Sequence, residues 1–460
     1  MSDRWQLDGD GIAWQVSDGG LPHHDHVEMS GRQVSLIVFW GIDSGGRLSL
    51  RRRIYWPTLR GRQDDVRGYL RRELAETCEP TVLIDGVEHR SVAERVSSVR
   101  FDGVFTVEHV PSDGLRLTRE LCPDPHQAAV TERWTLTNVG AAPLAVAVGA
   151  LSWRQQTAGY LGGYLVEVEQ PGASATLAPG ESLSATTVIS ARRAEAPAVT
   201  ADGALARRRE RIAALSGRVA LETPDPVLNR CFQFACLRTG EALFETKLGL
   251  VHSPCGNSYY GGVWANDQVE YFGPFAPLLG DDDANLAALN AYRVFARWMT
   301  PEFAPIPSSF EVEGDAVWTH CGDRGDAAMY LYGCSRYLLA RGDAALAEEL
   351  WPALAWCAEY CRRKLTADGV VASDTDELEG RFPTGKANLS TSTLAYGGLR
   401  SAAALARDLG RAEVAADYEQ RAEALAAAIE RYFGATVEGY ATYRYYDGGE
   451  VLRSWICLPL

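Results

Sequence analysis

Three stretches of this sequence gather residue types that recognise polar ligands and move protons. The first reads His252-Ser253-Pro254-Cys255-Gly256-Asn257-Ser258-Tyr259-Tyr260-Gly261-Gly262-Val263-Trp264-Ala265-Asn266-Asp267-Gln268. Tyr259, Tyr260 and Trp264 offer flat faces for C–H surfaces, and Asn266 and Asp267 offer the donors and acceptors that hydroxyls need, as a sugar site requires. A buried aromatic hinge with Asp267 as a helix N-cap would look the same at this level. The second stretch, Trp318-Thr319-His320-Cys321-Gly322-Asp323-Arg324-Gly325-Asp326, runs into a helix. There Asp323 or Asp326 could cap the helix while Arg324 pairs with a neighbouring acid. The third, Asp374-Thr375-Asp376-Glu377-Leu378-Glu379-Gly380-Arg381-Phe382-Pro383, crowds its carboxylates together. Confined like charges raise one another's pKa, and an acid still protonated near neutrality is what a glycosidic oxygen needs from a general acid.

The elements that must position these stretches follow from hydrophobic period. Between about residues 10 and 192 the period is two: Val130, Trp134 and Leu136 share one face, with Glu132 as the exception. Asn138 to Pro143 reads as a turn into Leu144, Val146 and Val148, which predicts a hairpin. Many short strands joined by Gly/Pro turns predict an antiparallel β-sandwich over 1–192, followed by a linker with a short helix over 193–224. After Pro226 the period becomes 3.6, as in Leu286, Leu289, Tyr292 and Phe295 behind the acidic start Asp281-Asp282-Asp283. Similar stripes run through Ala327 to Leu338, Leu346 to Cys361 and Val414 to Phe433. About seven helices are expected between 225 and 433. Short turns alternate with long loops at 245–268, 300–323 and 367–391, which should line one mouth of the helical array.

Composition narrows the function classes. The 460-residue chain has a formal net charge of -15, which argues against a nucleic-acid or anionic membrane partner and leaves a neutral carbohydrate as the fitting one. The start Met1-Ser2-Asp3-Arg4-Trp5-Gln6 carries no basic segment followed by an apolar one, so a cytoplasmic location is expected. The scattered cysteines, with Cys357 and Cys361 one helical turn apart, read as reduced core thiols. His23-His24-Asp25-His26 alternates faces as a strand and cannot converge on a metal; no metal or cofactor is expected. No GxxxxGK[ST], HExxH or GxSxG is present to support nucleotide, zinc-protease or serine-hydrolase chemistry.

Taken in order, Trp264-x-x-Asp267, Trp318 with Asp323-Arg324-Gly325-Asp326, and Asp376-Glu377-x-x-Gly380 resemble active-site segments of the glucoamylase-like, six-hairpin (α/α)6-barrel glycosidases, whose bacterial members carry a preceding β-sandwich. The resemblance spans roughly residues 225–433 and implies a barrel catalytic domain over 225–460. It implies Asp267 on sugar hydroxyls, Trp318 on a sugar face, and Asp376 or Glu377 as general acid, with the paired acids before glycine favouring Asp376. Tyr259, Tyr260, Trp264, Asn266, His320, Arg324 and Glu379 would complete the substrate site. Asn266 stands where arginine is usual, so glucose specificity is not carried over. A closed barrel needs more helices than the sequence supplies, so an incomplete toroid, cut short near Ser454-Trp455-Ile456-Cys457-Leu458-Pro459-Leu460 with its catalytic base beyond Leu460, is expected. The expected activity is an exo-acting, inverting glycoside hydrolase. The alternatives are a sugar phosphorylase, with His320 and Arg324 as its anion site, and a carbohydrate-binding protein without catalysis.

Overall fold

The computed structural model describes residues 4–62, 68–89, 95–253 and 261–453. The chain divides into two compact units, one of Met1–Glu245 with Cys255–Gly261 and one of Thr246–Pro254 with Gly262–Leu460. Antiparallel sheets fill the first, and most of the helices fall in the second.

In the first unit, a nine-stranded sheet runs in the order Gln6–Asp8, Gly11–Gln15, Val96–Phe101, Phe105–His109, Leu115–Pro123, Ala129–Asn138, Ser182–Arg193, Gly162–Gln170 and Leu151–Gly159. Two four-stranded sheets accompany it, one from His23 to Leu74 and one joining Ala173–Leu177, Leu144–Val148, Val82–Ile84 and Val87–His89. One face of a central strand serves two cores. Along Ala129–Asn138, Val130 enters one core with Leu36, Trp40, Trp56 and Ile189, whereas Trp134 and Leu136 enter a second with Val82, Ile84, Val146 and Val148.

Two expectations are corrected here. Ala129–Asn138 and Leu144–Val148 do not form a hairpin: the first pairs with Leu115–Pro123 and Ser182–Arg193, the second with Ala173–Leu177 and Val82–Ile84 in a different sheet. Period two specifies which face a residue takes, not which strand it pairs with. The unit boundary also falls after the helix starting at Pro226 rather than before it. Helix α1 (Ala204–Ser216) and helix α2 (Pro226–Glu241) belong together, because Arg208 of α1 forms a buried ion pair with Glu241 of α2. A side chain on Gly240 of α2 would overlap Leu215 of α1.

The second unit contains α3 (Gly273–Leu279), α4 (Asp282–Ala296), α5 (Asp326–Arg341), α6 (Ala344–Arg363), α7 (Leu389–Asp408) and α8 (Ala412–Phe433). Their starts are written in the sequence: Asp281, Asp343 and Asn388 accept backbone N–H groups at the N-termini of α4, α6 and α7. The expected stripes of α5 and α6 are largely buried, but Leu286 of α4 is 43% exposed. Ala284, Ala287, Ala288 and Ala291 take the buried face in its place, so small residues set how closely α4 packs. After α8 the chain forms a β-hairpin, Gly434–Val437 with Tyr440–Tyr443; the apolar segment from Ser454 lies outside the described residues. The eight described cysteines are free thiols, six of them buried. No helix among the described residues is long and apolar enough to cross a membrane.

Candidate active site

The part of the first stretch from Gly262 onward meets the second and third stretches in the second unit. Gly262–Trp264 pairs with Ser309–Glu311, which pairs in turn with Val317–Trp318, and both Trp264 and Trp318 stand opposite Ser309. They therefore share one face of a small sheet, about 10 Å apart across two strand spacings. The second and third loops are stitched together through the backbone. Asp374 and Thr375 donate their N–H groups to Asp323 O (2.8 and 3.0 Å), and Asp323 N–H donates to Asp374 Oδ2 (2.8 Å).

Arg324 ties all three. Its buried guanidinium lies over the Trp264 ring, 5.0 Å from the centroid, and donates to Asp326 Oδ1 (2.8 Å), Asn266 Oδ1 (3.3 Å) and Glu377 O (3.4 Å). Glu379 Oε1 lies 3.6 Å from it. Asp326 also accepts from Ser308 Oγ (3.0 Å). Asp323 accepts from Gly325 N–H (2.9 Å) and from the Tyr360 hydroxyl (2.6 Å); burial raises its carboxyl, opposed by the Tyr360 bond. The pairing role open to Arg324 is the one it fills, with Asp326, but neither Asp323 nor Asp326 caps α5, whose N-cap is Gly325 with no side-chain cap bond; the contacts of both acids instead fix the loop's shape.

Asp267 is not an N-cap. Helical backbone begins at Ala265, and Asp267–Phe272 is a π-helical turn running into α3. Its wide turn has a local cause: Gln268 O accepts both Gly273 N–H and the hydroxyl of buried Tyr292 (3.1 Å). The turn packs so tightly on α5 that a Cβ on Gly333 would come within 2.4 Å of Val269. Gln268 further holds His252 Nδ1 at 3.1 Å, and the His252 ring stacks on Phe272.

This turn brings in a residue the sequence reading missed, Glu270. Its carboxyl lies beside that of Glu377 and near Asp267. Burial, then the contact with Glu377, pushes Glu270 up to about 9; burial, opposed by Arg324 and reinforced by Glu377, pushes Asp267 up to about 7. Two ionised carboxylates have no proton to donate to one another, and Oε2 of Glu377 is then buried without a partner. A proton retained on Glu270 removes the conflict. The i, i+3 spacing from Asp267 to Glu270 was the available signal, since it puts both on one side of a helical turn.

The crowding expected within the third loop does not occur there. Asp374 turns to the second loop, Glu379 to Arg324 and Arg381, and Asp376 to Leu378 N–H (2.8 Å) and the Tyr445 hydroxyl (2.9 Å). The like charge facing Glu377 comes from the π-turn. Trp318 packs edge-on against exposed His320, and its buried indole N–H has no hydrogen-bond partner among the described residues. Tyr259 and Tyr260 lie outside the described residues. A cavity of about 730 Å³ in the first unit, lined by Arg154, Glu167 and Glu169 among others, has these charges already paired at 3.1–3.2 Å.

No family model matches the chain, and no curated protein matches it. Solved structures do. One described as a kojibiose phosphorylase from the human microbiome superposes with a TM-score of 0.53 at 7% identity, covering 92% of this chain and 70% of its own. A bacterial glucoamylase complexed with acarbose gives a TM-score of 0.51 at 11% identity, covering 94% of this chain and 72% of its own. The chain therefore shares with these two proteins a fold in which antiparallel β-sheets precede a helical domain.

Proposed function

We propose that the protein is a glycoside hydrolase in which Glu377, beside a Glu270 that keeps its proton near neutral pH, delivers a proton to the leaving glycosidic oxygen. The observation that carries this reading is the buried contact between the two carboxyls, with Glu270 pushed up to about 9. Such a pair still holds a proton at neutral pH, as a general acid must. Between the adjacent candidates of the third loop, Asp376 has both oxygens occupied by Leu378 N–H and Tyr445, whereas Glu377 Oε2 is uncommitted. Asp267 binds hydroxyls of the terminal sugar, with Trp264 and Trp318 as the aromatic walls. Carboxyls in contact are too close to be the two halves of an inverting mechanism, which stand about 6.5–9.5 Å apart to admit a water. Glu270 and Glu377 together are thus the acid, and in the inverting scheme the base is a separate carboxylate across the sugar.

Hydrolysis is favoured over phosphorolysis by the state of Arg324. Asp326, Asn266, Glu379 and Glu377 O already use its guanidinium, and the neighbouring carboxylates repel a phosphate dianion. The test is a panel of disaccharides and aryl glycosides offered to the parental protein and to Glu377→Gln. The amide should lower the rate on unactivated substrates on the order of 10²–10⁴-fold and spare activated aryl glycosides, whose leaving group needs little protonation. Parental rates in the variant, or no cleavage of any substrate by the parent, would refute the reading.

A further inference from the structure

No hydrogen bond fixes Glu377 Oε2, so the turn that carries the residue matters to where its carboxyl is held. The turn that carries it is fastened from a segment the proposed chemistry does not use, the chain following the C-terminal hairpin. Asp376, 1% exposed, has both carboxylate oxygens committed: Oδ1 accepts Leu378 N–H (2.8 Å), while Oδ2 accepts the Tyr445 hydroxyl (2.9 Å) and lies 3.4 Å from Arg453 Nη2. Arg453 also donates to Pro383 O (3.0 Å), at the far end of the same loop. Its guanidinium lies over the rings of Tyr445 (4.1 Å) and Phe382 (5.1 Å). Tyr445 is itself seated firmly, since its carbonyl accepts Leu389 N–H (2.8 Å) and Tyr446 bridges to Asn388 at the start of α7.

The turn needs this fastening. Glu379 sits at φ 59°, a left-handed conformation that a residue with a side chain adopts at a cost, and Gly380 follows at φ 75°. Neighbouring side chains on such a turn diverge, so anchoring Asp376 leaves Glu377 to face Glu270. We propose that Tyr445 and Arg453 are positioning residues, acting through Asp376 to hold Glu377 against Glu270. This rests on Glu377 as the proton donor, but the fastening itself can be read without any activity.

Two measurements on Tyr445→Phe test it. Arg381, with its side chain 67% exposed, offers a tryptic site inside the turn. Loss of the hydroxyl should speed cleavage after Arg381 about tenfold at an unchanged melting temperature, since proteolysis follows the population of the opened loop. On unactivated glycosides kcat should fall about 10–100-fold with KM within about twofold, as a displaced catalytic group predicts. The loss should shrink on activated aryl glycosides, in the pattern of Glu377→Gln; a smaller folded fraction would lower both alike. Parental nicking and parental kcat would overturn the proposal, and so would equal losses on both substrate types. If the parent cleaves no glycoside, the donor reading falls, while the nicking rate still decides whether Tyr445 fastens the turn. Should Tyr445→Phe not fold, Arg453→Gln puts the same question from the more exposed side of the clamp.

Discussion

Each unit buries a group of charges, and the two groups are treated oppositely. In the sandwich, Glu132 is fully buried and accepts from Arg52 (2.9 Å) and Arg119 (2.7 Å), and both arginines also reach Glu79 at 2.8 Å. The guanidinium of Arg119 covers the Trp134 ring at 4.0 Å. Two acids meet two bases, so although burial alone would raise the Glu79 carboxyl, Arg119 and Arg52 hold it down at about 2. In the helical unit, Asp267, Glu270 and Glu377 converge with one arginine nearby, and that arginine is already spent on Asp326. There burial prevails and Glu270 rises to about 9. Burial is common to both; the stoichiometry of partners separates a structural cluster from one that keeps a transferable proton.

The largest effect expected from breaking this comparison is on stability. Glu132→Gln leaves Arg52 and Arg119 buried against Glu79 alone and should cost about 3–5 kcal/mol, read from urea unfolding followed by tryptophan fluorescence. Activity per folded molecule should not change. A cost below about 1 kcal/mol would mean that the sandwich charges do not depend on one another, and the contrast would lose its structural half.

Glu270→Gln should act in the other direction and depend on pH. A carboxyl raised from 4.5 to about 9 binds more protons folded than unfolded across that interval, so its contribution to stability falls as pH rises from about 4.5 to 9. Glu79, lowered to about 2, has the opposite sign: its contribution is complete above about 4.5 and is lost as pH falls toward 2. Replacing Glu270 by the amide should leave stability near pH 5 almost unchanged and gain on the order of 2 kcal/mol by pH 9. Melting temperatures of parent and variant between pH 5 and 9 should therefore diverge; parallel curves would remove the proton from the pair. The alkaline limb of the rate profile should also move to lower pH, because a Gln amide supplies no proton to Glu377.

Both clusters also mark where local reading of the sequence stopped. Glu132 stood out as a polar break in the face shared by Val130, Trp134 and Leu136, and that break lies where one apolar core gives way to the next. Its partners Arg52, Glu79 and Arg119 arrive through space from other strands and a turn, which no periodicity shows. The sandwich, the helix starts and the three converging loops were legible because patterning and capping are local. Glu270 was not, since the π-turn that aims it depends on Tyr292 from α4. Between Asp376 and Glu377 the neighbouring residues favoured Asp376, whereas the proposal above takes Glu377. A tyrosine hydroxyl far downstream, at Tyr445, takes one of them and leaves the other free.

The smallest expected effect concerns Asp267, which stands between the two regimes: burial raises it, Arg324 opposes, and it comes to about 7. As the acid it offers sugar hydroxyls a neutral acceptor, and as the carboxylate a charged one, which is stronger by roughly 1 kcal/mol. Raising pH from 6 to 8 converts it from mostly protonated to mostly ionised, so KM for a glycoside should fall about fivefold over that range, matching that energy difference. Asp267→Asn has no proton to lose at these pH values, and its KM should stay level near the parental value at pH 6. With Glu377 as the proposed proton donor and Asp267 outside that step, kcat in the variant should keep the parental pH profile apart from a modest uniform loss. Steady-state kinetics at closely spaced pH values separates these terms. A parental KM that is flat between pH 6 and 8 would show that Asp267 does not change charge beside the substrate, and that Arg324 balances it as fully as the sandwich arginines balance Glu79.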